Sequence, residues 1–288
     1  MVRFPDIKNV LVDDSWIVLS DYPYAKHNKT DRFGHRQIGF LTEHTIFFVL
    51  EGEKRLHFED HTVPVAAGSL LLLKKGIYVI SEYMADGEQF EALMTFIPDS
   101  FLQQFCSEMA FSSMNRECNP CHCVVPSTTL LNNFRMQYMH YFGRSFEFKE
   151  QLIRNKLREL LLLLLSTPQK DQVATFLTFC ANEKRADLDF LLRQHLLKPL
   201  TVSDFARLSG RSLAAFKRDF RRKYDTSPKA WINKQRLSHA SDLLMRTTKN
   251  ISEIAHECGF ENVSHFIRLF KREYQVTPGV LRAKKAIN

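Results

Sequence analysis

One stretch of this chain is written twice. Val202-Ser-Asp-Phe-Ala-Arg-Leu-Ser-Gly210 recurs as Ile251-Ser-Glu-Ile-Ala-His-Glu-Cys-Gly259, and Phe216, Phe220, Tyr224 and Pro228 recur as Phe266, Phe270, Tyr274 and Pro278. The offset is 49 residues up to the glycine and 50 beyond it, a single insertion. A unit this short cannot bury its apolar face alone, so two copies imply two equivalent elements sharing one task. Thr201-x-x-Asp204 and Asn250-x-x-Glu253 are capping-box starts, the first weaker because Asp stands in place of Glu or Gln. Gly210 and Gly259 then supply the left-handed turn that ends a short helix. A longer helix follows in each copy, with apolar residues at Leu213, Phe216, Phe220 and Tyr224, or at Val263, Phe266, Phe270 and Tyr274. Each copy therefore reads as a helix-turn-helix.

Rotation away from the apolar stripe exposes a matched cationic face. The first long helix presents Ala214, Ala215, Arg218, Arg221 and Arg222, flanked by Lys217; the second presents Ser264, His265, Arg268, Lys271 and Arg272, flanked by Ile267. A helix entering a DNA major groove needs small or hydrogen-bonding side chains near its N-terminus, then arginines for guanine edges and phosphates. One amphipathic helix carries a charged solvent face without any ligand; two matched faces in tandem point to double-stranded DNA. Ser227-Pro228 opens a connecting helix through about Met245. At 1.5 Å per residue it spans roughly 27 Å, enough to hold two readers near the ~34 Å of one DNA turn.

These residues resemble the DNA-binding domain of the AraC/XylS family of bacterial transcription regulators. The resemblance rests on Ile251-x-x-Ile-Ala-x-x-x-Gly-Phe260, Ser264-His-Phe-x-Arg-x-Phe-Lys271 and Tyr274-x-x-Thr-Pro278, with a looser form in the first copy and a linker match at Arg236-Leu-x-x-Ala240. Asp225 and Gln275 depart from it, standing where the family usually has glycine. The resemblance covers 186–288. It implies base readout at Arg218, Arg268, Ala214 and Ser264, and phosphate contacts at Arg221, Arg222, Lys271 and Arg272. It further implies recruitment of RNA polymerase, activation as output, and no catalytic residue.

Charge agrees with that division. Residues 186–288 hold 20 Lys+Arg against 10 Asp+Glu, whereas 1–185 hold 20 against 22, so the net +8 resides wholly in the repeat region. The longest aliphatic run, Leu160 to Leu165, is too short to span a bilayer. The N-terminus lacks an apolar signal core. A cytoplasmic protein without a membrane partner is expected.

Residues 1–183 read as a regulatory and dimerisation domain. Trp16–Leu19 has the composition of an edge strand and Tyr22-Pro-Tyr24 that of a turn. Short strands with glycine turns fill 30–98: Thr45–Leu50, Arg55–Phe58, Leu70–Leu73, Ile77–Ser81 and Phe90–Ile97. The phrase Phe47-Phe-Val-Leu-Glu-Gly-Glu53, with Gly68 and Lys75-Gly76 downstream, resembles the cupin-like sensory domain that precedes many AraC-type readers. The fold class is thus α+β: a small cupin-like β-barrel with following helices over 99–183, then an all-α domain with two helix-turn-helix motifs joined by a linker helix. A metal-binding cupin wants His-x-His, a nearby carboxylate and a late His. His35, His44, His57 and His61 lack that spacing and Tyr78 stands near the late position, so neither metal nor cofactor is expected. Phe47, Phe48, Tyr78, Tyr83 and Phe96 are candidate pocket residues, with core packing the simpler role.

Helices are expected over Ser127–Phe142, Glu147–Leu165 and Gln172–Asn182. The leucine run must be buried, and the resemblance implies a homodimer through the helices of 127–166. The signal is a small-molecule effector or a regulatory protein. Two rival readings remain. One is a cupin enzyme fused to a DNA-binding tail. The other is a thiol or zinc sensor at Cys118-Asn-Pro-Cys121-His-Cys123, built on low-pKa thiolates and read here as a loop.

Overall fold

The computed structural model describes residues 2–5, 14–19, 22–30, 36–58, 60–83, 89–109, 111, 121–182 and 186–285. The chain divides into two compact units, Met1–Glu183 and Lys184–Asn288.

The first unit runs β1 (Val2–Phe4), β2 (Trp16–Leu19), β3 (Tyr22–Thr30), β4 (Gln37–Leu41), β5 (His44–Glu51), β6 (Glu53–His57), β7 (Thr62–Ala66), β8 (Ser69–Leu73), β9 (Gly76–Tyr83) and β10 (Phe90–Ile97). After α1 (Asp99–Met109) come β11 (His122–Pro126), α2 (Thr129–Met139), α3 (Lys149–Leu165) and α4 (Lys170–Ala181). The strands form a five-stranded sheet, β1-β4-β9-β6-β7, and a six-stranded sheet, β11-β8-β5-β10-β3-β2.

The six-stranded sheet is buried on both faces, which is why β5 and β8 are unbroken apolar runs rather than alternating ones. Side chains still alternate. Phe47, Val49, Leu71 and Leu73 meet Leu56, Val65 and Ile80 of the opposite sheet. Ile46, Phe48, Leu70 and Leu72 point the other way, into a core shared with Phe134, Leu157, Leu161 and Phe176 of the helices. Of the leucine run expected to be buried, Leu160, Leu161 and Leu164 are fully buried in this second core and Leu163 and Leu165 pack at its edge, whereas Leu162 is 38% exposed, because the outer side of α3 has no partner among the described residues of the unit.

Three local expectations are corrected here. Tyr22-Pro-Tyr24 is not a turn: it begins β3, which pairs with β10 in the register Ala25↔Thr95 through Thr30↔Phe90. The sheets extend beyond 30–98: Trp16–Leu19 is the edge strand its composition predicts, while β1, β3 and β11 are recruited by long-range pairing that no local pattern encodes. Cys121 to Cys123 does not form a free loop; His122 and Cys123 open β11, with Cys123 opposite Leu72.

The second unit is helical: α5 (Leu188–His195), α6 (Val202–Leu208), α7 (Leu213–Tyr224), α8 (Pro228–Arg246), α9 (Ile251–Glu257), α10 (Val263–Tyr274) and α11 (Pro278–Lys285). Both capping boxes close reciprocally, so Asp204 serves as well as Glu253. Asp187 starts α5, accepting from the backbone N–H groups of Asp189 and Phe190. The duplication extends to ring geometry. Phe216–Phe220 and Phe266–Phe270 centroids are both 5.6 Å apart, and Phe220–Tyr224 and Phe270–Tyr274 are 4.4 and 4.6 Å apart. Leu213 departs from the expected stripe; it is 40% exposed, because the first turn of α7 projects beyond the core. In α10 the buried set gains Leu269.

One buried cation ties the two copies together. Arg236, on α8, donates from Nε to the Leu196 carbonyl at 2.7 Å and from Nη1 to that of Gly259 at 3.1 Å, while Nη2 reaches the carbonyls of Lys198 and Leu200. Gly259 sits at φ +80, and a Cβ there would stand 2.7 Å from the Leu197 carbonyl oxygen. Gly259→Ala should therefore destabilise the chain by about 2–4 kcal/mol in denaturant unfolding, combining left-handed strain with a backbone clash. Gly68 shares that φ but has open space around it, so Gly68→Ala should cost only the ~1–2 kcal/mol of strain. Equal costs would contradict the clash. Asp225 and Gln275 end α7 and α10 at φ 51 and 61, the left-handed region expected of glycine. Gln275→Gly should stabilise by about 0.5–1 kcal/mol, the strain relieved exceeding the extra freedom of the unfolded chain.

Candidate nucleic-acid interface

The candidate readers are α7 and α10, each positioned by an N-cap and a phenylalanine pair. Ser212 accepts from the Ala215 N–H and Asn262 from the His265 N–H, which fixes where each helix begins. Phe216, Phe220, Phe266 and Phe270 are fully buried, so the opposite faces are turned outward. On α7, Ala214, Lys217, Arg218, Arg221 and Arg222 are exposed and Ala215 is half-buried. On α10, Ser264, Arg268, Lys271 and Arg272 are exposed, whereas His265 and Ile267 are half-buried. Ile267 leans on the core of its own unit.

The two faces differ in how their cations are held. Asp219 on α7 accepts from Arg211 at 3.2 Å and from Arg222 at 3.3 Å, and Lys223 is drawn to Asp189 at 2.6 Å. Lys217, Arg218 and Arg221 have no acidic partner among the described residues. On α10 the position matching Asp219 is the buried Leu269, and Lys271 and Arg272 are likewise without acidic partners among the described residues. Arg268 donates through Nη2 to His265 Nδ1 at 3.0 Å. Burial, then the charges of Arg268, Lys229 and Arg272, hold the His265 imidazole below its ordinary pKa. It is thus kept neutral and able to accept. The outcome is two cationic ridges with few internal counter-charges, the arrangement that backbone phosphates neutralise.

Elsewhere the titratable groups serve structure. His44 accepts at Nδ1 from the Lys75 N–H, and His57 meets Thr62 and Ser81. His61 stacks on Phe58, and His35 lies outside the described residues. Among the described residues no group of three or more His, Cys, Asp or Glu side chains is placed to hold a metal ion. Between the sheets, Lys54 and Glu82 pair at 2.8 Å and the ammonium lies over the Phe47 and Phe90 rings. The cavity beside them is only ≈ 10 Å³, room for about one water. Phe47 and Phe96 pack in this core, while Phe48 faces the helices. Tyr78 donates to the Lys74 carbonyl, and Tyr83 carries Arg55 across its ring at 3.9 Å.

Of the thiol cluster, Cys118 lies outside the described residues. Burial pushes the Cys123 thiol up to about 11 and raises that of Cys121 as well. That is the opposite of the depressed pKa on which redox sensing depends.

Known proteins supply the wider setting. Residues 44–176 match the family described as the ExsA N-terminal regulatory domain, and 205–284 match the helix-turn-helix domain. The HTH-type transcriptional regulator ExsA of Pseudomonas aeruginosa is 30% identical over 253 residues, covering 84% of this chain and 87% of that protein. The virulence regulon transcriptional activator VirF of Yersinia enterocolitica is 26% identical, covering 85% of this chain and 92% of that protein. A crystal structure of ToxT from Vibrio cholerae aligns over 90% of this chain and 98% of that one at 16% identity, with a TM-score of 0.41. No helix among the described residues is long and apolar enough to cross a membrane. With identity and coverage at that level along both units, the chain belongs to the AraC/XylS family of DNA-binding transcription regulators.

Proposed function

We propose that this protein is a cytoplasmic transcription activator that grips two successive major grooves with α7 and α10. The observation that carries this reading is the repeated helix face: two outward ridges of cations, largely free of internal counter-charge, on elements with matching cores. Residues 186–288 are the DNA-binding domain and 1–183 the regulatory and dimerisation domain. Arg218 and Arg268 read bases, with Ala214 and Ser264 at the groove-facing starts and Ala215, Lys217, His265 and Ile267 flanking them. Arg221, Arg222, Lys271 and Arg272 hold phosphates. Activation rests on the relatives, VirF being named an activator, and implies contact with RNA polymerase. The same kinship favours a regulator over a cupin enzyme.

The homodimer is assigned to α2 and α3, where Leu130 (59% exposed) and Met136 (56%) leave apolar surface uncovered. The signal is a small molecule or a partner protein.

Fragmented source DNA retained by the protein at two salt concentrations, then sequenced, gives the operator. On that operator Arg268→Ala should cost about 1–3 kcal/mol and relax base preference at one position, whereas Lys271→Ala should weaken all duplexes alike. Equal losses on operator and random DNA for both variants would contradict the division of roles. Leu130→Asp with Met136→Asp should convert the dimer to a monomer in light scattering; a wild-type monomer would exclude the assigned interface.

A further inference from the structure

The linker helix α8 reads in sequence as a rod, yet its first half has a surface of its own. Lys229, Ala230 and Lys234 are exposed and Asn233 is half-buried. Ala230, Trp231, Asn233 and Lys234 line a groove of ≈ 470 Å³ whose other wall includes Arg272 and Glu273 of α10. The α10 residue Arg272 is one already placed on the outward face of that helix.

The placement of α8 beside α10 follows from three points along both helices. Lys229 lies close enough for its charge to act on His265, Lys234 and Arg272 share the groove, and Leu237 and Ala240 lie in one core with Leu269 and Phe270. The helices therefore run alongside one another in the same sense. Since α8 also follows directly from α7, its first half lies between the two readers. Lys229 and Lys234 have no acidic partner among the described residues, and the one carboxylate lining the groove, Glu273, is outnumbered by Lys234 and Arg272. Ala230 keeps that surface low, so a polyanion can come close to both lysines. Long ammonium side chains around a shallow floor suit phosphodiester oxygens and carry no base information.

We propose that Lys229 and Lys234 of α8 form, together with Arg272, a third DNA-binding element that takes backbone phosphates of the duplex segment between the two readers. This rests on the two-groove reading above. It adds a non-specific clamp: the readers select sequence, while the linker adds salt-sensitive affinity and fixes the phase of the DNA between them.

The test uses the full chain and the retained operator duplex. Affinity is measured across a salt series for wild type, Lys229→Ala/Lys234→Ala, Lys229→Arg/Lys234→Arg and the control Lys170→Ala in the other unit. Each phosphate contact contributes about 0.9 to the slope of log affinity against log salt. The double alanine variant should lose about 1.8 of slope, with its operator-to-random preference and thermal midpoint unchanged. The arginine pair should retain the slope, and Lys170→Ala should match wild type. Trp231 emission should shift on binding in wild type and shift less in the alanine pair. An alanine pair with the wild-type slope overturns the proposal and leaves the readers intact, as does a slope loss matched by Lys170→Ala. A wild-type chain whose affinity for duplex is insensitive to salt overturns the two-groove reading along with it.

Discussion

The geometry of the DNA-binding unit depends on one buried guanidinium. Arg236 sits in the middle of α8 and spends its donors on the carbonyls of Leu196, Lys198, Leu200 and Gly259. Burial lowers its pKa to about 10, still well above neutrality, so the group remains a cation. A charge so placed is tolerable only when hydrogen-bonded, and its partners come from both copies. The 196–200 segment leads into the first helix-turn-helix and Gly259 ends the first helix of the second. The clamp thus joins the two motifs to the rod between them. Gly259 is part of the same device, because its missing Cβ is what lets the Leu197 carbonyl approach.

Rigidity of that kind is what a two-site reader requires. Flexible tethering of two weak helices would forfeit affinity to the entropy of ordering them, whereas a fixed separation delivers both to the duplex together. Within the fixed frame, α7 and α10 are aligned by the same devices: a side-chain cap at the start, two packed phenylalanines beneath and a left-handed residue at the end. That the left-handed residues are Asp225 and Gln275 rather than glycine shows the surrounding turns are constrained well enough to hold strained backbone. The first unit follows another logic. Its six-stranded sheet is covered on one face by the second sheet and on the other by helices, so an event at α2 or α3 is packed directly against the strands through Phe48 and Phe134, whose rings stack 6.2 Å apart.

Much of this was legible in the sequence where the signal is local and periodic. The capping boxes, Gly210, Gly259, Ser227-Pro228 and the phenylalanine spacing each act within a few residues, so the helices of 186–288 could be placed from pattern alone. Phe90–Ile97 was legible because β-formers run between clear breaks. What escaped depends on distant partners. Tyr22–Thr30 looks polar and is broken by Pro23, yet it is a strand because β10 pairs with it. His122–Pro126 is a strand because β8 offers an open edge. Leu213 fits the helical stripe but lies one turn past the core. In the interface, the outward faces followed from rotation about the helix axis; the pairing of Arg211 with Asp219 and the half-burial of Ile267 did not, since both depend on neighbours in space. Arg236 was visible only as part of a family pattern, its carbonyl partners being up to 40 residues away.

The proposed function requires two readers engaging one duplex in phase. A methylation-interference footprint of the full chain on its retained operator tests this most directly, because it reports major-groove contacts base by base. Two blocks of interfering bases about 10 base pairs apart on one face of the duplex, the first lost in Arg218→Ala and the second in Arg268→Ala, are the predicted result. A single block, or two blocks lost together by either substitution, would contradict it.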